Sequence, residues 1–486
     1  MATLGAPGMA GGDSMIDRRD IMDRSGELSL RAEIVEKDYV LGWLLAGITQ
    51  HEEIGASWVF KGGTCLKKVH FETYRFSEDL DFTLTDEEHL NEDYLRRVFG
   101  EISEWIYAES GIEIPREQIR FDCYQNKRGG DSAQGRIYYR GPLQPRGSLP
   151  SIKLDLTTDE VVVLEPSTQR ISHAYGDEPR EGFWVRCYPF AEVFAEKVRA
   201  LGERGRPRDL YDVINLYRRD EARSVIGSIR ETLAEKCEFK GISIPSAASV
   251  EGYHAELEAD WAHMLGHQLP SLPRFEDFWA ELKNFFAWLG GTVEVAEEPQ
   301  YKLGQGEEVI RVAQGGYGGL GLGSSARLLE TIRFAAANHL CVDLDYRDEG
   351  GRRSTRRIEP YSLRRTSDGN VILHAERADG RGHRAYRLDR MLAAAVADQT
   401  FRPRFRVELT PLGAQAISDT ERQSTWSSRK TAARRARATG VRYVYQCSNC
   451  GKKFTHQRQN PRLREHKDKG GYPCGGRSGY LVNTRY

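Results

Sequence analysis

The chain is 486 residues long, with 39% hydrophobic and 29% charged residues, which is too long for one hydrophobic core and too apolar for a disordered or fibrous protein. Two to four folded domains are expected. The formal charge of −1 conceals an asymmetry: residues 401–486 hold 19 Lys and Arg against 5 Asp and Glu, net +14, and leave 51 against 66 upstream, net −15. A cationic end of that size either attracts a polyanion by counterion release or is a solvated charged tail.

In chain order, residues 1–14 are rich in Gly and Ala without a basic-then-apolar leader pattern, and read as a disordered lead-in. Apolar runs such as 40–48 fall well short of the roughly 20 residues a membrane-spanning helix needs. No membrane segment is expected, and the cytoplasm is the expected location. Residues 15–290 predict one α/β unit with an all-helical end. Within 31–49, Ile34, Val35, Val40, Leu41, Leu44, Leu45 and Ile48 fall at helical spacing, and 58–60 form a short strand-like run. From Glu192 the pattern is helical through Trp261, Phe278 and Leu289. Six glycines within 315–323 mark a linker, placed at 291–325, since no helix or strand interior tolerates such a run. A small β-rich domain is expected at 326–408, a basic linker at 409–440 and a compact end module at 441–486.

The stretch that carries chemistry begins at Lys61, Gly62, Gly63, Thr64 and continues through Lys67 to Arg75, Phe76, Ser77, Glu78, Asp79, Leu80, Asp81 and Phe82. A strand that ends in Gly-Gly-Thr and passes into a helix exposes backbone N–H groups where a phosphate can be held. Asp79 and Asp81, two apart in a strand-like run, share a face while Leu80 and Phe82 take the other. Two adjacent carboxylates need a cation between them, and Mg2+ accepts carboxylate together with phosphate oxygens. The alternation returns in Ile152, Lys153, Leu154, Asp155 and Leu156, giving a third carboxylate. Lys153 shares its face with Asp155 and can neutralise it. Three carboxylates beside a phosphate-binding turn suit two-metal nucleotidyl transfer, with two acids on metal and the third helping to activate the attacking hydroxyl. Lys67 and Arg75 are either triphosphate contacts or screened surface cations.

Gly62-Gly63-Thr64 with Lys67, the run from Arg75 to Phe82, and Lys153-Leu154-Asp155 resemble the AbiEii/AbiGii-type nucleotidyltransferase toxins of toxin–antitoxin and phage-defence systems. Lys37-Asp38-Tyr39 upstream, the run from Ala195 to Ala200 and the run from Arg208 to Val213 fit the same pattern. The resemblance covers about 15–290. It implies a polymerase β-like nucleotidyltransferase mixed sheet with a helical C-terminal half, and transfer of a nucleoside monophosphate from an NTP to an RNA acceptor, tRNA foremost. It further implies that Gly62, Gly63, Thr64, Lys67, Arg75 and Ser77 hold the NTP, that Asp79, Asp81 and Asp155 hold catalytic Mg2+, and that Lys197 contacts the phosphates with Asp209 positioning it. A toxin of this kind needs a cognate antitoxin. The competing class is an NTP-sensing, nucleic-acid-binding regulator that performs no turnover.

Residues 357–405 alternate short apolar runs with turns, among them Ser367, Asp368, Gly369 and Asn370 between two runs, and predict a hairpin within a small SH3-like β-barrel. The segment resembles a WYL domain, with Val371, Ile372 and Leu373 at the signature triplet in place of the Trp-Tyr that names the family. Arg387 and Arg390 are either anion ligands or ordinary ion-pair partners. Of eight cysteines, Cys65, Cys123, Cys187, Cys237 and Cys341 are scattered, whereas Cys447, Cys450 and Cys474 crowd the end. Cys447 and Cys450 form a knuckle, and His466 and Cys474 follow after 15 and 7 intervening residues. This spacing suits tetrahedral structural Zn2+ in a ribbon-like module, with His456 a rival to His466. Lys452, Lys453, Arg462 and Lys467 around Phe454 favour nucleic-acid contact.

Overall fold

The computed structural model describes residues 15–71, 75–126, 128–144, 147–178, 182–293, 299–301, 306–310, 323–409, 442–456, 461–463, 466–468 and 472–485. The expected lead-in at 1–14, nearly all of the basic linker at 409–440 and the glycine run at 315–322 lie outside them. Two compact units are present, 1–415 and 416–486. Among the described residues no helix is long and apolar enough to cross a membrane.

The larger unit begins with α1 (Arg18–Leu28), started by a capping box between Asp17 and Asp20. Next comes α2 (Ala32–Gln50), which is buried on nearly every side because its apolar residues run all round it. β1 (Trp58–Lys61), the short helical turn α3 (Gly62–Cys65), a wide turn over Leu66–His70 and β2 (Asp79–Leu84) follow. After α4 (Glu92–Ser110), capped by Asn91 and closed by Gly111 at φ +80°, come β3 (Ile119–Gln125), β4 (Asp131–Tyr138), β5 (Ser151–Thr157), β6 (Ser167–Ile171) and β7 (Phe183–Cys187). These seven strands form one mixed sheet in the order β3-β4-β5-β2-β1-β7-β6. β2 runs parallel to β5 and antiparallel to β1, and β1 is parallel to β7. Trp43, Trp58, Phe60, Phe82, Leu154 and Leu156 are buried on this sheet. Each such side chain contributes about 1.5–3 kcal/mol by leaving water.

A helical half then follows the sheet: α5 (Phe190–Arg204), α6 (Pro207–Tyr217), α7 (Asp220–Ser224), α8 (Ile226–Lys240), α9 (Ala247–Glu251), α10 (His254–Leu265) and α11 (Phe275–Leu289). Pro207 opens α6 at its first turn, where a missing N–H costs nothing. Residues 43–289 therefore build the mixed sheet with a helical second half that the sequence predicts.

The next part of the same unit holds β8 (Glu308–Val309), α12 (Ala326–Ala337), β9 (Leu340–Arg347), β10 (Arg353–Arg365), β11 (Val371–Arg377), β12 (His383–Arg387) and β13 (Met391–Thr400). Its sheet runs β12-β11-β10-β9-β13 with β8 on β10. The pairing is an open path among the described residues, so a closed barrel is not seen. The expected hairpin joins β10 to β11, with Gly369 at φ +79° in the turn. The twelve-residue α12 is an addition to the sequence reading, which expected a β-rich domain there and named no helix. Arg387 pairs with Asp389 at 2.8 Å and Arg390 with Glu349 at 3.2 Å, both near the surface.

The smaller unit carries β14 (Arg442–Cys447), β15 (Lys453–His456), β16 (His466–Lys467), β17 (Pro473–Cys474) and β18 (Gly479–Arg485). β15, β14 and β18 form one sheet, and β16 pairs with β17. Its core is small, centred on Tyr445, Cys447, Leu463 and Cys474.

Candidate active site

The site is built where β1 runs out. Gly62 adopts φ +80°, and a Cβ there would lie 2.2 Å from Asp81 Oδ2. A Cβ on Gly63 would lie 2.8 Å from Arg75 Nη2 and 3.1 Å from Ser77 Oγ. Two bare glycines thus let the turn backbone approach the carboxylate and the serine directly, which any side chain would prevent. Thr64 Oγ1 donates to the Asp79 carbonyl and ties the turn to β2.

Strand register does the rest. Lys61 stands opposite Asp81 across the β1/β2 pair, while Asp81 stands beside Asp155, and Asp79 beside Lys153, across β2/β5. Leu80, Phe82, Leu154 and Leu156 fill the core, so Asp79, Asp81 and Asp155 emerge together on the other face, each half-buried. Burial, reinforced by the charges of Asp155 and Asp79, pushes the Asp81 carboxyl up to about 6. Burial also raises Asp79 against the pull of Lys153. Asp155 is held by Lys153 Nζ at 2.6 Å and by Gln134 Nε2 at 3.4 Å. The three carboxylates are not among the sets of described residues whose ligand atoms all lie within 4.8 Å of one another. All donors are hard oxygens and two are uncomfortable as anions, a donor chemistry that fits a divalent cation.

Helices α5 and α6 supply the cations. Lys197 Nζ on α5 lies 2.8 Å from Asp212 Oδ2 and 3.8 Å from Asp209 Oδ1. Asp209 and Asp212, three apart, occupy one face of α6. Arg204 grips Asp209 with two hydrogen bonds, at 2.8 and 3.0 Å. Arg75 donates to both Asp212 oxygens at 2.8 and 2.9 Å and to Gln268 Oε1 at 2.9 Å. Burial works against the Asp212 carboxylate, yet Arg75 and Lys197 hold it far below the usual range. Arg208 is half-buried, and its charge acts on both Glu78 and Asp79.

The structure therefore brings Gly62, Gly63, Thr64, Ser77, Asp79, Asp81 and Asp155 together at the turn, with Lys197 and Asp209 on the helices behind. Arg75 borders the same turn, its Nη2 2.8 Å from where a Gly63 Cβ would lie, and is a buried strut bound to Asp212 and Gln268. One sequence candidate lies elsewhere. Lys67 is 3% exposed, with Nζ 4.4 Å from the Phe76 ring centre, and it lines a cavity whose walls include none of the three aspartates. Sequence reasoning placed Lys61 at the start of this stretch without a role and missed the charge cluster beneath it. Lys61 lies 3.8 Å from both Glu160 and Glu196, and Lys236 lies 3.0 Å from Glu192 and 3.6 Å from Glu196. Burial opposes the Glu196 carboxylate, but Lys61, Lys236 and Arg199 hold it down to about 2. The available signal was a charged residue ending the otherwise apolar strand Trp58–Lys61.

In the smaller unit Cys447, Cys450, His466 and Cys474 form a set whose ligand atoms all lie within 4.8 Å of one another. Cys450 Sγ is 3.1 Å from His466 Nε2, and Cys447 Sγ is 3.9 Å from Cys474 Sγ. Burial works against the Cys447 thiolate, but the backbone N–H groups of Cys450 and Asn449 bring the thiol down to about 6. A Cβ on Gly476 would lie 2.5 Å from Cys447 Sγ, so that glycine leaves room for the set. This set could hold one metal ion, and it uses His466; the side chain of His456 lies outside the described residues.

The family model for the nucleotidyl transferase AbiEii toxin, type IV toxin–antitoxin system, matches residues 43–284, and the WYL domain model matches 327–396. Among solved structures, the nucleotidyltransferase toxin MenT4 of Mycobacterium tuberculosis is 19% identical over 56% of this chain and 87% of its own, with a TM-score of 0.34. JHP933 of Helicobacter pylori is 15% identical over 54% and 94%, with a TM-score of 0.35. Proteasome accessory factor PafBC of Arthrobacter aurescens is 12% identical over 94% and 80%, with a TM-score of 0.16. No curated protein matches the chain significantly.

Proposed function

We infer that this chain, a nucleotidyltransferase that carries an AbiEii-type toxin domain ahead of a WYL domain, moves a nucleoside monophosphate from an NTP to RNA, with tRNA as the acceptor. Mg2+ as the catalytic ion, a cognate antitoxin protein that silences the chain, a cytoplasmic setting and a role in phage defence belong to the same proposal. The observation that carries it is the row of Asp81 and Asp155 beside Asp79, set against a glycine turn whose backbone touches Asp81.

In this proposal the Gly62 to Thr64 backbone and Ser77 hold the β- and γ-phosphates, and Lys197 and Arg208 balance their charge. Asp79 and Asp81 hold the divalent ion, which when bound neutralises charge building on the phosphate oxygens. The acceptor hydroxyl attacks the α-phosphorus, the new O–P bond forms as the bond to pyrophosphate breaks, and the hydroxyl proton passes to the Asp155 carboxylate. Lys153, 2.6 Å from Asp155, sets how readily that proton is taken. Asp212 and Arg75 fix Lys197 in place and touch no substrate.

In the smaller unit Cys447, Cys450, His466 and Cys474 hold structural Zn2+, which lets a module with so few core residues fold. The +14 charge of 401–486 recruits RNA. The test is incubation of the chain with total tRNA, Mg2+ and each α-labelled NTP, beside Asp81→Asn. Label on RNA that depends on Asp81 supports the proposal. Absence of label on any RNA, with NTP still bound, replaces it with the sensor that binds and does not turn over.

A further inference from the structure

Cys65, His70 and Cys187 form a second set, in the transferase core, whose ligand atoms all lie within 4.8 Å of one another. Three elements deliver them. Cys65 ends α3, one residue past Thr64; His70 ends the wide turn that follows; and Cys187 ends β7, beside Phe60 of β1. Both thiols are 0% exposed, and neither is in a disulfide. Two buried sulfurs alone would be ordinary core packing. The imidazole is what packing leaves unexplained. His70 Nε2 lies 3.3 Å from the Tyr188 carbonyl oxygen, and since a carbonyl only accepts, Nε2 carries the proton and Nδ1 keeps its lone pair. A carbonyl behind one ring nitrogen is the arrangement that orients a ligating histidine. Phe71 and Phe190 stand against the same ring at 6.2 and 6.1 Å and hold it in place. Burial brings the imidazole down to about 4, so it stays neutral near pH 7. The donors are two sulfurs and one nitrogen with no carboxylate in the set, which suits a soft d10 ion and disfavours Mg2+ or Ca2+.

We propose that Cys65, His70 and Cys187 hold a structural d10 ion, Zn2+ or Cu+, that ties the active-site turn to the strand leading into α5. Binding replaces two S–H bonds by two metal–sulfur bonds and releases two protons to solvent, while His70 gives its lone pair and keeps its proton. Two thiolates carry two negative charges, which Zn2+ cancels in full, so the filled set buries no net charge. Cu+ leaves one negative charge and needs no fourth donor. Cys65 adjoins Thr64, whose hydroxyl is bound to the Asp79 carbonyl, and Cys187 stands three residues before Phe190, where the helix of Lys197 begins. The ion thus sets the glycine turn against that helix without touching substrate. Because both sulfurs are out of water, the ion enters as the chain folds and leaves only when it opens. The site does not depend on turnover.

Atomic emission for zinc and copper tests it, on the full chain expressed with both metals supplied, kept reduced and dialysed in its native state against EDTA. Cys474→Ser, which removes the ion of the smaller unit, should retain about one ion per chain. In that background Cys187→Ala and His70→Gln should each lower the metal content at least about tenfold, whereas Asp81→Asn should leave it unchanged. Melting curves confirm that the variants fold, and the half-buried His70→Gln decides the outcome if Cys187→Ala does not fold. The element found names the ion. Less than about one ion per ten chains in Cys474→Ser would overturn the proposal. So would an ion kept by His70→Gln, or one lost with Asp81→Asn, which would belong to the carboxylates. A Cys65–Cys187 disulfide, seen by peptide mass in the unreduced chain, would overturn it as well. A retained ion in a chain that labels no RNA would sink the transferase proposal and leave this one standing.

Discussion

Replacing Asp81 by Asn should stabilise the metal-free protein while abolishing transfer. The Asp81 carboxyl titrates at about 6 in the folded chain against 3.8 for the ordinary group, because burial and the neighbouring carboxylates disfavour its anion. The folded state then binds more protons than the unfolded one between those values, so stability falls as pH rises from about 4 to about 6 and stays low above it. At about 1.4 kcal/mol per pH unit the ionised carboxylate costs the fold roughly 3 kcal/mol. The carboxyl lies on a half-exposed face, and solvent screening trims this to about 1–2 kcal/mol. For a unit of this size each kcal/mol moves the midpoint by about 2–4 °C. In EDTA at pH 8, Asp81→Asn should therefore melt about 2–8 °C above wild type, and the gap should close as the pH is lowered through 5. Saturating Mg2+ should raise the wild type and leave the variant unmoved. A variant that melts at or below wild type in EDTA at pH 8 would refute the idea that these carboxylates repel one another in the folded state.

Gly62→Ala puts a Cβ 2.2 Å from Asp81 Oδ2 at φ +80°; it should cost about 1–2 kcal/mol of stability and, by displacing the carboxylate, about 100-fold in label transfer. Asp212→Asn leaves Lys197 and Arg75 buried without their shared carboxylate, and urea unfolding at pH 7 should show a loss of about 3–5 kcal/mol. Because Arg75 and Lys197 depress the Asp212 carboxyl against its burial, the wild-type advantage is present above pH about 4 and disappears as pH falls below it, where the two proteins should converge. Cys474→Ser should remove about one bound metal ion per chain by atomic emission and abolish cooperative melting of the 442–485 module, leaving the midpoint of the larger unit unchanged.

What the sequence displayed and what it hid differ in range. Gly62 and Gly63 are legible because the approach of a backbone to a carboxylate demands glycine, and Asp79, Asp81 and Asp155 because strand alternation puts an acid where the face opens. Lys61 was hidden, since its place opposite Asp81 follows from strand pairing across 20 residues. Arg75 looked like a phosphate ligand because its partners, Asp212 and Gln268, lie 137 and 193 residues away. Cys65 and Cys187, scattered in the sequence, meet beside His70 in the core. The helix α12 was masked by the glycine run before it and the strands behind it. The end cysteines, by contrast, declared themselves, because a module with four ligands and almost no core has little else to organise it.

The domain boundary in the sequence is no boundary in the packing. The segment that follows the transferase core is held to it at α6, the helix that carries Asp209 and Asp212. Tyr211 donates to Asn338 Oδ1 at 2.5 Å, Arg218 Nη1 donates to the Asn338 carbonyl at 3.4 Å, and Arg406 pairs with Asp220 at 2.8 Å just beyond the helix. Asn338 is 1% exposed, so its bond to Tyr211 cannot be exchanged for water and is worth about 0.5–1.5 kcal/mol net, more if only one partner is lost. One such bond shifts a two-state equilibrium about two- to tenfold. Helix α6 is short and regular, and a displacement at Tyr211 is shared by Asp209 and Asp212 beside it, which hold Lys197. Helix α6 is itself packed on α5, α10 and α11, so a core cut at the glycine run should keep Lys197 on Asp212 and lose the bonds that tie the following segment to this helix, which NTP affinity and label transfer of the cut core would report.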